Sequence, residues 1–397
     1  MGMIDYKAHA EAMRDKLVAI RRDLHQHPEL AFEEVRTAGI VAAELGALGL
    51  EVQTGVGKTG VIGMLEGEQD GPTVLVRADM DALPILEANQ VEYVSKTSGK
   101  MHACGHDGHT TIALGVAQLL SQHRSQLRGR VKFVFQPAEE VGQGAQAMVD
   151  DGALRDPRPD ISLGLHLWNE MPLGMLGVAD GPVMAASSDL TIRITGKGGH
   201  GALPEMSLDP VVCAAQIVTA LQTIISRNVP ALDSAVISVT QIHTGTAHNI
   251  IPQTAELNGT FRTFRREIRD LIQERIREIA TGIAAAMGCT AEVTIRHFTE
   301  AVANHPEVAE RVRGAFRRLG HPESNFFYER TMGSEDVGLF MDDIPGMYFF
   351  VGSANAERGL NFGHHHPRFD FDEDVLPLAV SLLSAAIGEY VLPEAQG

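Results

Sequence analysis

Thr73-Val-Leu-Val-Arg-Ala78 is an apolar run that leads directly into Asp79-Met-Asp81, and three further runs of its kind follow. They are Val131-Lys-Phe-Val-Phe-Gln136, Ile161-Ser-Leu-Gly-Leu-His166 and Met347-Tyr-Phe-Phe-Val-Gly352. Runs this short and this apolar suit strands buried on both faces, as in parallel sheets. Helical stretches alternate with them at Thr110–His123 and Gly144–Asp151, after amphipathic helices over 8–24 and Phe32–Leu48. The alternation predicts an α/β fold, a three-layer domain around a mostly parallel sheet.

The ends of these runs carry chemistry. Asp79 and Asp81 follow the first, Glu139 and Glu140 follow the second, and His166 closes the third. Open α/β sheets collect their sites at the carboxyl ends of strands, so these side chains are expected along one edge.

The texture changes after Pro182. Asp189-Leu-Thr-Ile-Arg-Ile-Thr195 alternates strictly, as a half-exposed strand should. A helix follows with Asp209 as N-cap and Pro210 at its first position. Strands over Ala235–His243 and Ala255–Phe264, a charged helix over Arg266–Met287 and a strand over Ala291–His297 complete a β-α-β-β-α-β order. That order predicts a ferredoxin-like domain inserted at 185–300, with residues 1–184 and 301–397 forming the other domain.

Composition narrows the function. Fifty-one acidic residues against 33 basic ones give a net charge of −18, a surface that repels phosphate backbones and excludes nucleic acid as a partner. No apolar run approaches the ~20 residues of a membrane span. The N-terminal Met1-Gly-Met-Ile-Asp-Tyr6 lacks a signal-peptide pattern, so the expected location is cytoplasmic. Of the three cysteines, Cys213 and Cys289 sit in apolar helical surroundings and read as small buried hydrophobes. Cys104 does not.

Cys104 lies in Met101-His-Ala-Cys-Gly-His-Asp-Gly-His109, two residues before His106. Thiolate, imidazole and carboxylate together suit a transition metal with open positions rather than calcium or magnesium. His102, Asp107 and His109 read as groups that orient the ligands. In the Glu139-Glu140 pair, one carboxylate can hold a cation while the other moves a proton. His166 and the Gly363-His-His-His-Pro367 turn offer further imidazoles. Farther on, His200 in a glycine-rich turn is suited to donate to an oxyanion, and Asn249 offers a second polar contact. Neither Gly196–Pro204 nor Gly55-Val-Gly-Lys-Thr-Gly60 satisfies the spacing of a phosphate loop. A metal-dependent hydrolase is the leading reading. Its rivals are a cysteine amidase, weakened by the poor two-residue spacing of Cys104 and His106, and a non-catalytic ligand sensor.

These motifs resemble the hippurate hydrolase and N-acyl-amino-acid amidohydrolase branch of the aminoacylase–carboxypeptidase metallopeptidases, which includes the plant indoleacetyl-amino-acid hydrolases. The resemblance runs through Arg22–Leu30, Arg77–Pro84, His102–His109, Gln136–Glu140, Gly196–Pro204, Asn249–Pro252, Met332–Asp336 and His364–Pro367. It implies two divalent metal ions per subunit, zinc or manganese first, with nickel, cobalt and iron as alternatives. It further implies Cys104 as bridging ligand with His106, Glu140, His166 and, by a His-x-Pro pattern, His365. Glu139 falls on the general base and Asp81 on a supporting aspartate. His200 falls on the histidine that reaches the reacting carbonyl, Asn249 on a substrate contact, and Arg262 on a partner for the substrate carboxylate. The implied reaction is hydrolysis of small N-acyl-L-amino acids, with a dipeptidase or carboxypeptidase activity as the alternative. The insert is expected to act as lid and dimerisation domain of a homodimer or dimer-based oligomer. Val337 departs from the family, where an aromatic commonly follows the Gly-x-Glu-Asp motif.

Overall fold

The computed structural model describes residues 4–393, so the first three residues of the N-terminal stretch read above lie outside it. The chain forms two units, one of Met1–Gly181, Ala303–Arg330 and Asp336–Gly397, the other of Pro182–Val302 and Thr331–Glu335. The short return of Thr331–Glu335 to the second unit lies beyond the 185–300 expected of the insert. It follows from backbone pairing, Thr331 N–H donating to Val183 O and Ala185 N–H to Gly333 O, both at 2.9 Å.

The larger unit is built on an eight-stranded sheet. Its order is Glu51–Val56, Gly60–Glu66, Arg128–Gln136, Gln69–Asp79, Ile161–Pro172, Gly346–Ala354, Leu176–Gly177 and Phe326–Phe327. The four central strands run parallel, and the first two strands pair antiparallel. Val74, Val76, Phe133, Phe135, Leu163, Leu165, Phe349 and Val351 supply the buried faces expected of such strands. Against them pack the helices His106–Ser121 and Val375–Val391, which are apolar nearly all round and correspondingly buried. Register aligns Asp79 with Gln136, so the residues after these strands emerge side by side.

Several boundaries differ from the periodicity. The helix expected over 8–24 is two, Tyr6–Glu11 and Arg14–Gln26. The helix expected over Phe32–Leu48 begins at Val35 because Phe32 has φ +62°, a value no right-handed helix accepts. The helix expected from Thr110 begins at His106, with Gly105 at φ +90° as its cap. His166 does not close its strand. Pairing with Gly346–Ala354 carries that strand on to Pro172 and leaves His166 opposite Phe350.

In the smaller unit, Ala186–Thr195, helix Pro210–Arg227, Ala235–Thr244, Thr254–Thr263, helix Arg266–Ala286 and Thr290–Thr299 follow in order. The strands form one antiparallel sheet with Ala186–Thr195 between Thr254–Thr263 and Thr290–Thr299. Leu190, Ile192 and Ile194 face inward against Ile217, Leu221, Ile272 and Ile276 of the two helices. Among the described residues, Pro210–Arg227 is the one helix long and apolar enough to cross a membrane by length and composition. It buries Cys213, Ala214, Ile217, Leu221 and Ile224 in this core, which accounts for its composition.

Candidate metal centre

The loop before the His106–Ser121 helix turns on Gly105, whose left-handed backbone a side chain would resist. That turn buries His106 and aims it across the sheet edge. Its Nδ1 donates to the backbone carbonyl of Asp81 at 2.9 Å. Nε2 is buried without a hydrogen-bond partner and faces Asp79 Oδ2 at 3.6 Å, with Glu139 Oε2 and Glu140 Oε1 at 3.9 Å. His166 is arranged alike: Nδ1 donates to Leu167 O at 2.6 Å, and Nε2 lies 3.6 Å from Cys104 Sγ. In both rings the backbone bond takes the Nδ1 proton and leaves the other nitrogen for a ligand.

Asp81 organises the acidic side. Its Oδ1 accepts from Glu139 N–H at 3.1 Å and its Oδ2 from Glu140 N–H at 3.0 Å. One carboxylate thereby aligns two successive peptide groups. His365 enters from the late turn, its Nε2 3.4 Å from Glu140 Oε2 and its backbone N–H bonded to Ala103 O at 2.8 Å.

The ligand atoms of Cys104, His106 and His166 lie within 4.8 Å of one another, as do those of Cys104, Glu140 and His365. His106, Glu139 and Glu140 form a third such group. Donors about 2.0–2.3 Å from one cation stand no more than about 4.6 Å apart, so little adjustment separates these groups from ligand shells. Cys104 belongs to two of them.

Electrostatics point the same way. Burial works against charge on His106, yet Asp79, Asp81 and Glu140 raise its pKa to about 10. Burial pushes the Glu140 carboxyl up to about 7, opposed by His106 and reinforced by Asp81 and Asp79. His166 falls well below its ordinary value through burial and the neighbouring His109 and His364. The acidic side therefore favours a positive charge at the centre, and the His166 side presents a neutral imidazole. A divalent cation fits both.

The profile of the Peptidase family M20/M25/M40 matches residues 75–389. The chain belongs to this family. N-acetylcysteine deacetylase of Bacillus subtilis is 40% identical over 370 residues, covering 93% of this chain and 95% of its own. Thermostable carboxypeptidase 2 of Saccharolobus solfataricus is 38% identical, with 94% of each chain covered. A Bacillus subtilis crystal structure of a dinuclear metal binding peptidase from the M20 family matches with a TM-score of 0.83 and 37% identity. That match covers 95% of this chain and 98% of the other. The protein is thus a hydrolase of the M20 type.

Around the centre the orienting residues are engaged. His109 donates from Nδ1 to Asp79 Oδ1 at 2.6 Å and accepts Leu167 N–H at Nε2 at 2.9 Å, which leaves no nitrogen for a ligand. Asp107 turns to Arg21 Nε at 2.9 Å and His25 Nδ1 at 2.8 Å. His102 is buried with both ring nitrogens unpartnered, and burial lowers its pKa to about 3. Val337 is also buried, at 1% exposure.

His364 is the neighbour that sequence reasoning passed over. Its Nδ1 stands 3.9 Å from Cys104 Sγ, while Nε2 accepts Asn169 N–H at 3.2 Å. The three successive histidines carried no signal to single it out. In the smaller unit, His200 and Asn249 come together: His200 pairs with Ile250, and Gly201 N–H donates to Asn249 O at 2.9 Å. Arg262 stands apart from them, eight residues along the Thr254–Thr263 strand from its Thr254 end, or about 26 Å. Its guanidinium bonds Thr260 Oγ1 and Phe261 O.

Proposed function

We propose that this protein hydrolyses the amide bond of N-acyl-L-amino acids at a centre for two divalent cations. The observation that carries the reading is Cys104, shared by a His106–His166 group and a Glu140–His365 group, with Glu139 beside both glutamate and imidazole. The deacetylase activity in the name of the 40% identical relative and the dinuclear title of the matched structure support it. Zinc or manganese suits the donor set, with nickel, cobalt and iron as further occupants to test.

Cations held there would supply Lewis acidity for the carbonyl and lower the pKa of water. The remaining work falls to the chain. Asp81 fixes the Glu139 and Glu140 peptides, so that the two carboxylates diverge in function. Glu139 takes a proton from the attacking water and passes it to the departing amine nitrogen as the C–N bond breaks. His200 and Asn249 serve as polar contacts for the reacting carbonyl; Arg262, far along its strand from that pair, is a partner for the substrate carboxylate where the two sets come from different copies of the chain in a dimer. The smaller unit is read as a ferredoxin-like lid and dimerisation domain, to be checked by light scattering of the intact and lid-deleted chains.

Glu139→Gln tests the division of roles. Turnover of N-acetyl and N-benzoyl amino acids should fall by about a thousandfold or more, the upper part of what removal of a proton-transfer group costs. Metal content by mass spectrometry should stay unchanged, and retained activity would refute the assignment. Carboxypeptidase action on small peptides is the second reading, favoured by the Saccharolobus relative. The ratio of kcat/KM for N-acetyl amino acids to that for matched dipeptides decides between them.

A further inference from the structure

Glu34 lies outside the matched family region, and no role falls on it in the chemistry above. It has no solvent exposure, yet it is a carboxylate whose hydrogen-bond partners are all neutral. Oε1 accepts Phe32 N–H and Ala138 N–H, both at 2.9 Å, and Oε2 accepts Thr59 Oγ1–H at 2.5 Å. A buried carboxylate is costly unless its lone pairs are satisfied, and these donors come from three separate segments.

Ala138 is the informative partner. It has φ +53°, a left-handed conformation that a residue with a Cβ rarely adopts, and it is wholly buried. Its carbonyl is also occupied, accepting Gly144 N–H at 3.1 Å and Gln143 N–H at 3.3 Å. Gly144 is confined as well, since a Cβ there would sit 1.5 Å from Pro137 O. Strain of this kind persists only where the surroundings over-determine it.

Glu139 and Glu140 come next in the chain, with their amides on Asp81. Three successive N–H groups therefore rest on two buried carboxylates: Ala138 on Glu34, and Glu139 and Glu140 on Asp81. We propose that Glu34 is a positioning residue, whose carboxylate holds the strained Ala138 peptide and thereby sets the direction of the Glu139 and Glu140 side chains. Relaxation of Ala138 to negative φ would rotate the chain entering Glu139. Asp81 alone would not prevent this, because it grips the turn only beyond the strained bond. The role in hydrolysis rests on the function proposed above; the backbone clamp does not.

Two conservative variants separate reach from charge. Glu34→Gln keeps an oxygen at the same reach, and its amide can donate to Thr59 Oγ1. Glu34→Asp keeps the charge but withdraws it by one carbon–carbon bond, about 1.5 Å. Hydrogen exchange over 137–141 should speed up about tenfold in Glu34→Asp and stay near wild type in Glu34→Gln. Zinc affinity should weaken about 10–100-fold in Glu34→Asp, the range typical of groups that orient ligands. Its kcat should fall by a similar factor with KM held within about twofold, since misdirected groups lose rate more than binding. Adding Ala138→Gly, which tolerates positive φ, should recover most of the loss. Unchanged protection and affinity in Glu34→Asp, or an equal loss in Glu34→Gln, would overturn the proposal. If wild-type protein with bound metal cleaves no acyl amino acid, the proposed function fails instead, while exchange and affinity still decide the part played by Glu34.

Discussion

Asp81→Asn is the most direct test of how the acidic side is built. The native carboxylate gives one oxygen to Glu139 N–H and the other to Glu140 N–H, at 3.1 and 3.0 Å, and Oδ1 also stands 3.3 Å from His106 Nδ1. An asparagine has one oxygen. Whichever way its amide turns, one of the two peptide N–H groups then meets an NH2. A hydrogen bond to a charged group is worth about 1.5–3 kcal/mol, and the N–H left behind is itself desolvated. Because the distortion falls on the Glu139-Glu140 turn, the loss should appear as weaker cation binding, about 10–100-fold. That factor is about 1.4–2.7 kcal/mol, the same range reached from the lost bond. Trp168, the sole tryptophan in the sequence, offers the assay. Its ring lies 5.5 Å from that of His166 and 4.9 Å from that of His364, so its fluorescence should report metal titrated against a competing chelator. A dissociation constant within about threefold of wild type, in a variant with an unchanged melting curve, would refute the reasoning, since that shift is under about 0.7 kcal/mol.

Two further predictions concern stability. Arg21 is fully buried between Asp107 at 2.9 Å, Asp370 at 2.8 Å and Glu373 at 3.3 Å, so Arg21→Met should cost about 3–5 kcal/mol in urea unfolding. A loss under about 1 kcal/mol would show that these carboxylates are satisfied without it. Lys132 donates to the carbonyls of Ala153, Arg155 and Pro157 at 3.1, 2.7 and 2.8 Å, and burial lowers its pKa to about 8, against the pull of Asp156. Between about 8 and the ordinary 10.5, the unfolded chain holds a proton that the folded one has released, so this group's contribution makes stability rise with pH there. Lys132→Met should remove that rise from the difference in urea midpoints at about pH 7.5 and 9.5, and parallel curves for the two proteins would refute it.

What the sequence disclosed and what it withheld divide along physical lines. The apolar runs ending at Ala78, Gln136 and His166 were legible because burial on both faces leaves a local signature. Their shared edge followed from the strand-end rule. The conformation of Gly105 was not legible, so His106 to His109 read as loop although they open a helix. His364 and His365 could not be ranked beyond a motif, because their distances to Cys104 and Glu140 are set by a late turn packed from afar. The resemblance assigns Asn249 and Arg262 to contacts with one small substrate, which says nothing of the strand length between them. Strand geometry separates them. Glu34 was invisible, since its partners at 59 and 138 are joined to it by folding alone.

The charge balance at the centre bears on which role suits Cys104. Four carboxylates converge on His106, with oxygens of Asp79, Asp81, Glu139 and Glu140 between 3.3 and 3.9 Å from its ring nitrogens. Arg77 pairs with Asp79 at 2.7 Å but is shared with Asp336 at 3.2 Å and with Gln136 at 2.7 Å. Like charges this close in a buried site cannot all stay ionised without a counter-charge. Protons are one remedy, and the upward shifts of His106 and Glu140 are that remedy at work. Divalent cations are the other, and they displace the same protons when they bind. A cysteine nucleophile would worsen the imbalance by adding a thiolate beside His166, an imidazole whose surroundings disfavour the proton it would have to accept. With two cations held as proposed, the same thiolate would become an asset, since Cys104 belongs to both groups of candidate ligands and would offset charge at each.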